Sequence, residues 1–200
     1  MIRCRSVLLL LVAAACAGEP SSPAAGEPAS AEVGPDWAAN VADDRLDAKQ
    51  LRDLATLARV TAPFHRDTAA SLAGWSATIT DCMSHPTDGA MGMHQGNLSY
   101  IGDGKVAVDR PELLVYEPEK NGRKRLVAVE YIVPLADWKS ARPPRLFGRD
   151  FTVNEEFGIW ALHVWLWKAN PSGLFADWNP RVTCRHAPPA AARAASHGAH

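Results

Sequence analysis

The run Ile159-Trp160-Ala161-Leu162-His163-Val164-Trp165-Leu166-Trp167 is apolar on both faces of an extended chain, and His163 is its one ionisable side chain. A strand of this kind has to lie inside a sheet, with cover on each side. The turn after it is written as Asn170-Pro171-Ser172-Gly173, with Pro and Gly where a type I turn takes them. The rest of the chain must supply neighbouring strands and a covering layer.

Both are legible. Leu51, Leu54, Ala55 and Ala58 recur at i, i+3, i+4 and i+7, which predicts a helix with Asp43 or Asp44 as N-cap and acidic residues in its first turn. Pro63 interrupts it, leaving His65 in an exposed break. A shorter helix is expected over Asp67 to Ala73, capped by Asp67 and closed by Gly74. From Asn97 onward the pattern turns to strands. Asn97 to Ile101 and Lys105 to Val108 flank Gly102-Asp103-Gly104, while Leu113 to Glu117 and Arg125 to Val133 flank Asn121-Gly122, a strong hairpin signal. Asp137 to Asn154, with Pro143-Pro144, reads as an irregular surface crossing. The expected fold class is α+β: N-terminal helices packed on a mostly antiparallel sheet able to curve toward a barrel.

The start of the chain sets the compartment. Arg3 and Arg5 precede an apolar run from Val7 to Ala15 that is too short to span a bilayer, and small residues close it, so residues 1–16 read as an export signal. Ala13-Ala14-Ala15-Cys16 looks like a lipobox, which would make Cys16 a lipid-bearing first residue and the membrane surface a partner. Cleavage by a general signal peptidase, at Ala13-x-Ala15 or Ala15-x-Ala17, is the alternative. Residues 17–36, rich in Ala, Gly, Pro, Ser and Glu, read as a flexible spacer. A single globular domain is expected over 37–186, holding all 7 tryptophans, with a disordered tail over 187–200. Outside the cytoplasm the two thiols of that domain, Cys82 and Cys184, should pair.

Charge and motifs narrow the function. The 21 basic and 22 acidic residues give a net charge of −1, and no basic block interleaves with aromatics, so nucleic acid is excluded as a partner. The chain holds no GxSxG elbow, Walker loop, GxGxxG turn or SxxK motif.

Two apolar strands each carry one ionisable residue. Alternation puts His163 with Ile159, Ala161, Trp165 and Trp167, and Glu130 with Leu126, Ala128 and Ile132. A two-residue turn at Asn121-Gly122 sets Glu130 opposite Leu113. A lone carboxylate among such neighbours must be protonated, paired or bound to a cation. His94, between Gly92 and Gly96, supplies a third donor, and two imidazoles with one carboxylate form the ligand set of an open divalent-metal site. The competing explanation is local: a core histidine bonded to a carbonyl and Glu130 paired with an arginine. In the loop Leu174 to Pro180, Asp177 is placed to orient an imidazole or touch a ligand, and Trp165 and Trp178 are expected as aromatic walls.

Met91-Gly-Met-His94, Ala161-Leu-His163-Val-Trp-Leu-Trp167, Phe175-Ala-Asp-Trp-Asn-Pro180 and Cys184 together resemble bacterial exported proteins of unassigned function over about residues 55 to 185, although Gln95 stands where an aromatic often follows the histidine. The resemblance implies a domain boundary and no activity. The expectation is a cell-envelope lipoprotein that binds a small ligand or a divalent metal. A metal-dependent enzyme at the same site, hydrolytic or of Lewis-acid type, and a structural or interaction module with no site are the alternatives.

Overall fold

The computed structural model describes residues 45–189. The export signal with Cys16, the spacer, the domain's expected first residue Trp37 and the tail from 190 onward lie outside the described residues.

The first helix, α1 (Ala48–Thr61), is capped by Asp47 rather than by Asp43 or Asp44. The Asp47 carboxylate accepts from the Gln50 N–H at 2.8 Å while the Gln50 side chain accepts from the Asp47 N–H at 2.6 Å. This reciprocal box satisfies two donors that a helix start otherwise leaves free. No acidic residue occupies the first turn, and the buried stripe is Leu54, Leu57, Ala58 and Thr61. Ala55, expected inside, is exposed. Rotating the helix to bury Leu57 in its place gains more, since a fully buried leucine contributes about 1.5 to 3 kcal/mol.

A 3-10 turn, Ala62–His65, carries Pro63 at its start. His65 is not the exposed residue expected there: it is half-buried, edge-on to Trp167 at 4.5 Å between ring centres. The next helix, α2 (Asp67–Leu72), has Arg66 as N-cap, and Asp67 lies inside its first turn. Its end matches expectation: Gly74 takes φ +111°, with its N–H on the Ser71 carbonyl and the Trp75 N–H on that of Ala70.

β1 (Ala77–His85) and β2 (Gly89–Gly96) form a hairpin that the sequence reading did not anticipate. The strands expected at Asn97–Ile101 and Lys105–Val108 are absent. Leu98–Ile101 is instead a helical turn, α3, because the Asn97 side chain accepts from the Ser99 N–H and opens a helix. β3 (Leu113–Pro118) and β4 (Lys124–Pro134) form the expected hairpin. Within the Asp137 to Asn154 crossing lie a small ladder, β5 (Arg145–Leu146) with β6 (Arg149–Asp150), and then β7 (Thr152–Asn154). β8 (Ile159–Val164) is the doubly apolar strand. The six-stranded half-barrel runs β1-β2-β3-β4-β8-β7 with every neighbour antiparallel, so the domain is α+β.

The β3–β4 register reaches the expected Leu113–Glu130 pairing through two cancelling offsets. The loop is one residue longer than a two-residue turn: the Glu119 N–H bonds the Arg123 carbonyl, with Asn121 (φ 76°) and Gly122 (φ 74°) left-handed inside it. The ladder then slips back between Tyr116–Leu126 and Val115–Ala128, leaving Val127 as a bulge. Leu126 therefore joins the helix-side core with Leu54, Leu57, Tyr116 and Val129, instead of sharing Glu130's face.

β8 sits between β4 and β7. Leu162 and Val164 enter the helix-side core and Ala161 packs with Leu113 and Ile132 on the other face. Cys82 of β1 is disulfide-bonded to Cys184, with Cα atoms 5.6 Å apart, tying the C-terminal segment to the sheet's first strand.

Candidate metal centre

Three strands bring the donors together. Glu130 and His163 are direct cross-strand partners in β4 and β8, and His94 in β2 lies opposite Val115 of β3, the strand between β2 and β4. The space between β2 and β4 is two strand spacings, roughly 9.6 Å, which a glutamate and a histidine can jointly bridge. The positions two residues either side of His94 are glycines, and Gly92, at φ +119°, lets β2 approach β3 closely, since a Cβ there would meet the Tyr116 carbonyl oxygen at 2.7 Å.

The Nε2 of His94 lies 3.3 Å from Glu130 Oε2 and 3.4 Å from His163 Nε2, and His163 Nδ1 lies 3.5 Å from Glu130 Oε1. One donor atom from each residue falls within 4.8 Å of the other two, and all three residues are buried. Donors that share one ion at about 2.0 to 2.2 Å stand about 3 to 3.6 Å apart, so His94 Nε2 already holds that spacing toward both partners. The other nitrogen of His94, Nδ1, is 2.6 Å from Thr80 Oγ1, a contact that fixes the ring. Behind His163 the Trp165 ring stacks at 6.0 Å.

Burial controls the charges. It pushes the Glu130 carboxyl up to about 8, with the Asp177 carboxylate adding to the effect. It lowers His94 to about 4, and it lowers His163 further below the usual range, with His94 as the secondary cause. Without an ion the cluster is therefore neutral near pH 7, a protonated carboxyl facing two neutral rings. A divalent cation would reverse this for Glu130, whose ionised form it stabilises.

The other residues expected at the site divide. Asp177 is exposed and shares a hollow of about 240 Å³ with Glu130 and His163. Trp165 is fully buried and backs His163, so it supports the site without walling an open pocket. Trp178 does not line the hollows around the donor cluster: its ring leans on His85, 5.3 Å away, and it lines a neighbouring surface hollow with Thr87, Asp88 and Asp177. Its neighbour Asn179 pairs with Ala90 and holds that loop at the far end of β2. Among the described residues neither imidazole is bonded to a carbonyl as the local explanation required, and the two carboxylate oxygens of Glu130 lie against the two histidines rather than an arginine.

Sequence reasoning missed Thr80, Met83 and Phe157, which also border the cluster. Thr80 and Met83 lie in β1, whose Ala77-Thr-Ile-Thr-Asp-Cys-Met shows no clean alternation. The β-branched Thr78-Ile79-Thr80 was the one usable signal. Also missed was Glu112, a buried carboxyl that accepts from the Ile132 N–H at 3.2 Å and is pushed up to about 8 by burial.

Compared with protein-family models, curated proteins and solved structures, the chain matches nothing.

Proposed function

We propose that this is an exported, lipid-anchored protein of the bacterial cell envelope that binds one divalent metal ion between His94, Glu130 and His163 and presents it to a small ligand. The observation that carries the metal reading is the convergence of one donor atom each from His94 in β2, Glu130 in β4 and His163 in β8 to within 4.8 Å of one another on a buried face, with His94 Nε2 at 3.3 and 3.4 Å from its two partners. Thr80 meets the outer nitrogen of His94, but His94 Nε2, Glu130 and His163 face chiefly one another, and desolvating such groups is costly. A bound ion would use all three and keep open positions for water or a ligand.

The test is elemental analysis of the mature protein after equilibration with zinc. The parent should hold one ion per chain, and His163→Ala and His94→Ala should each retain less than about a tenth of it, since a first-row ion depends on its full imidazole set. A folded parent that binds no zinc, manganese, iron, nickel or copper would end the metal reading.

Asp177 favours a second reading, a metal-dependent enzyme of hydrolytic or Lewis-acid type. It borders the same hollow as Glu130 and His163, where a carboxylate can accept a proton from metal-bound water.

The anchor rests on Ala13-Ala14-Ala15-Cys16 and the small-residue spacer behind it. Cys16→Ser should move the protein from the membrane fraction to the soluble exported fraction. A variant that stays with the membrane would mean that another contact holds it there.

A further inference from the structure

Two hollows meet at the donor cluster, and their chemistries differ. One, of about 180 Å³, is bordered by Ile79, Met83, Leu113, Ile132, Phe157 and Ile159 together with His94 and Glu130. The other, of about 240 Å³, is bordered by Thr152, Asn154, Glu155 and Asp177 together with Glu130 and His163. Met91, Asn154 and Glu130 belong to both, so the hollows are the apolar and polar arms of one cleft. Ile79 and Phe157 remain 39% and 47% exposed at the apolar arm, large side chains left in water where a ligand would enter.

We infer that the cleft takes a small monocarboxylate with a branched aliphatic or aryl tail, its carboxylate on the metal and its tail in the apolar arm. This rests on the metal reading above. A divalent ion held by two neutral imidazoles and one ionised Glu130 leaves a single positive charge in a buried setting, which one anionic head group neutralises. Among the described residues neither arm is lined by a lysine or an arginine, so recognition of the anion falls to the ion. A second carboxylate would have to enter either the apolar wall or the arm that already holds Glu155 and Asp177, and both placements are unfavourable. The apolar arm has room for about six waters at ~30 Å³ each, which suits a tail of four or five carbons.

The experiment is calorimetric titration of the zinc-loaded mature protein with 4-methylpentanoate, acetate and glutarate. Each buried methylene is worth about a fourfold gain in affinity, so 4-methylpentanoate should bind at least tenfold more tightly than acetate. Glutarate should bind no more tightly than acetate. Phe157→Ser, at a half-exposed position that the fold does not need filled, should reduce the preference for the branched acid and leave the zinc content unchanged. Equal affinity for 4-methylpentanoate and acetate, a preference that Phe157→Ser does not alter, or tighter binding of glutarate would each overturn this inference while leaving the metal site standing. A parent that retains no zinc would overturn the metal reading and this inference with it.

Discussion

Replacing both Cys82 and Cys184 by alanine should lower the free energy of unfolding by about 4 to 5 kcal/mol, the chain-entropy value for a closed loop of this length. The two residues are 102 apart in sequence, so without the bridge the unfolded chain regains the freedom of most of the domain. Much of the folded state would stay as it is. Near the bridge the Thr183 N–H still bonds Glu117 Oε1 at 3.0 Å, Glu117 still meets Lys168, and Val182 remains packed with Ala90, Val115 and Trp165. The effect therefore falls mainly on the unfolded ensemble, and it is a large part of the roughly 5 to 15 kcal/mol that holds a domain folded. Urea unfolding of the parent with and without reductant, beside the double variant, measures it. A midpoint that reductant leaves in place would mean that the thiols do not restrain the chain.

The sequence was most informative where one physical demand dominated. The Ile159 to Trp167 run could only be interior, and β8 lies between β4 and β7 with side chains committed on both faces. Asn121-Gly122 marked the β3–β4 hairpin because both residues tolerate left-handed backbone, but neither the loop length nor the Val127 bulge was legible. Their offsets cancel, so the expectation for Glu130 held while that for Leu126 failed. β1 was unreadable for a different reason: its residues are of intermediate or full exposure throughout, so no strong face is imprinted on the sequence. Thr80, the ring-fixing partner of His94, was lost with it. Asn97 shows the limit of local patterns, since a capping side chain outweighed the apolar character of Leu98 to Ile101. His94 and His163 lie on different strands with no shared spacing motif, and only the sheet order brings them within 3.4 Å.

The metal-free protein should lose stability between about pH 6.5 and 8, and zinc should cancel part of that loss. Glu130 and Glu112 are ordinarily acids near 4.5, and burial raises each to about 8 in the fold, with Asp177 adding to the effect at Glu130. A carboxyl raised in this way binds its proton in the folded state while the unfolded chain has released it. Its contribution is whole below 4.5 and is lost as pH rises toward 8, at up to about 1.4 kcal/mol per pH unit for each group. His94 works in the opposite sense. It is lowered from 6.5 to about 4 by burial, so its contribution is whole above 6.5 and lost as pH falls toward 4, and His163 shifts in the same direction. From 4.5 to 6.5 the two sets oppose each other, with His65, also lowered by burial, on the side of the other two histidines, so no net decline is expected there. Above 6.5 the unfolded chain gives up the rest of its histidine protons within about one pH unit, the opposing contribution fades, and the two carboxyls come to set the slope. Glu130→Gln should therefore halve the decline between 6.5 and 8, as should Glu112→Gln. Zinc distinguishes them, because coordination favours the ionised form of Glu130 and does nothing for Glu112. Saturating zinc should flatten the profile of Glu112→Gln and leave the remaining slope of Glu130→Gln unchanged. Urea unfolding of the three proteins at half-unit pH steps, with and without zinc, measures all of these slopes. A metal-free parent whose stability is level from 6.5 to 8 would mean that Glu130 is already ionised in the fold, and hence that something other than a proton satisfies it among the apolar neighbours of β4.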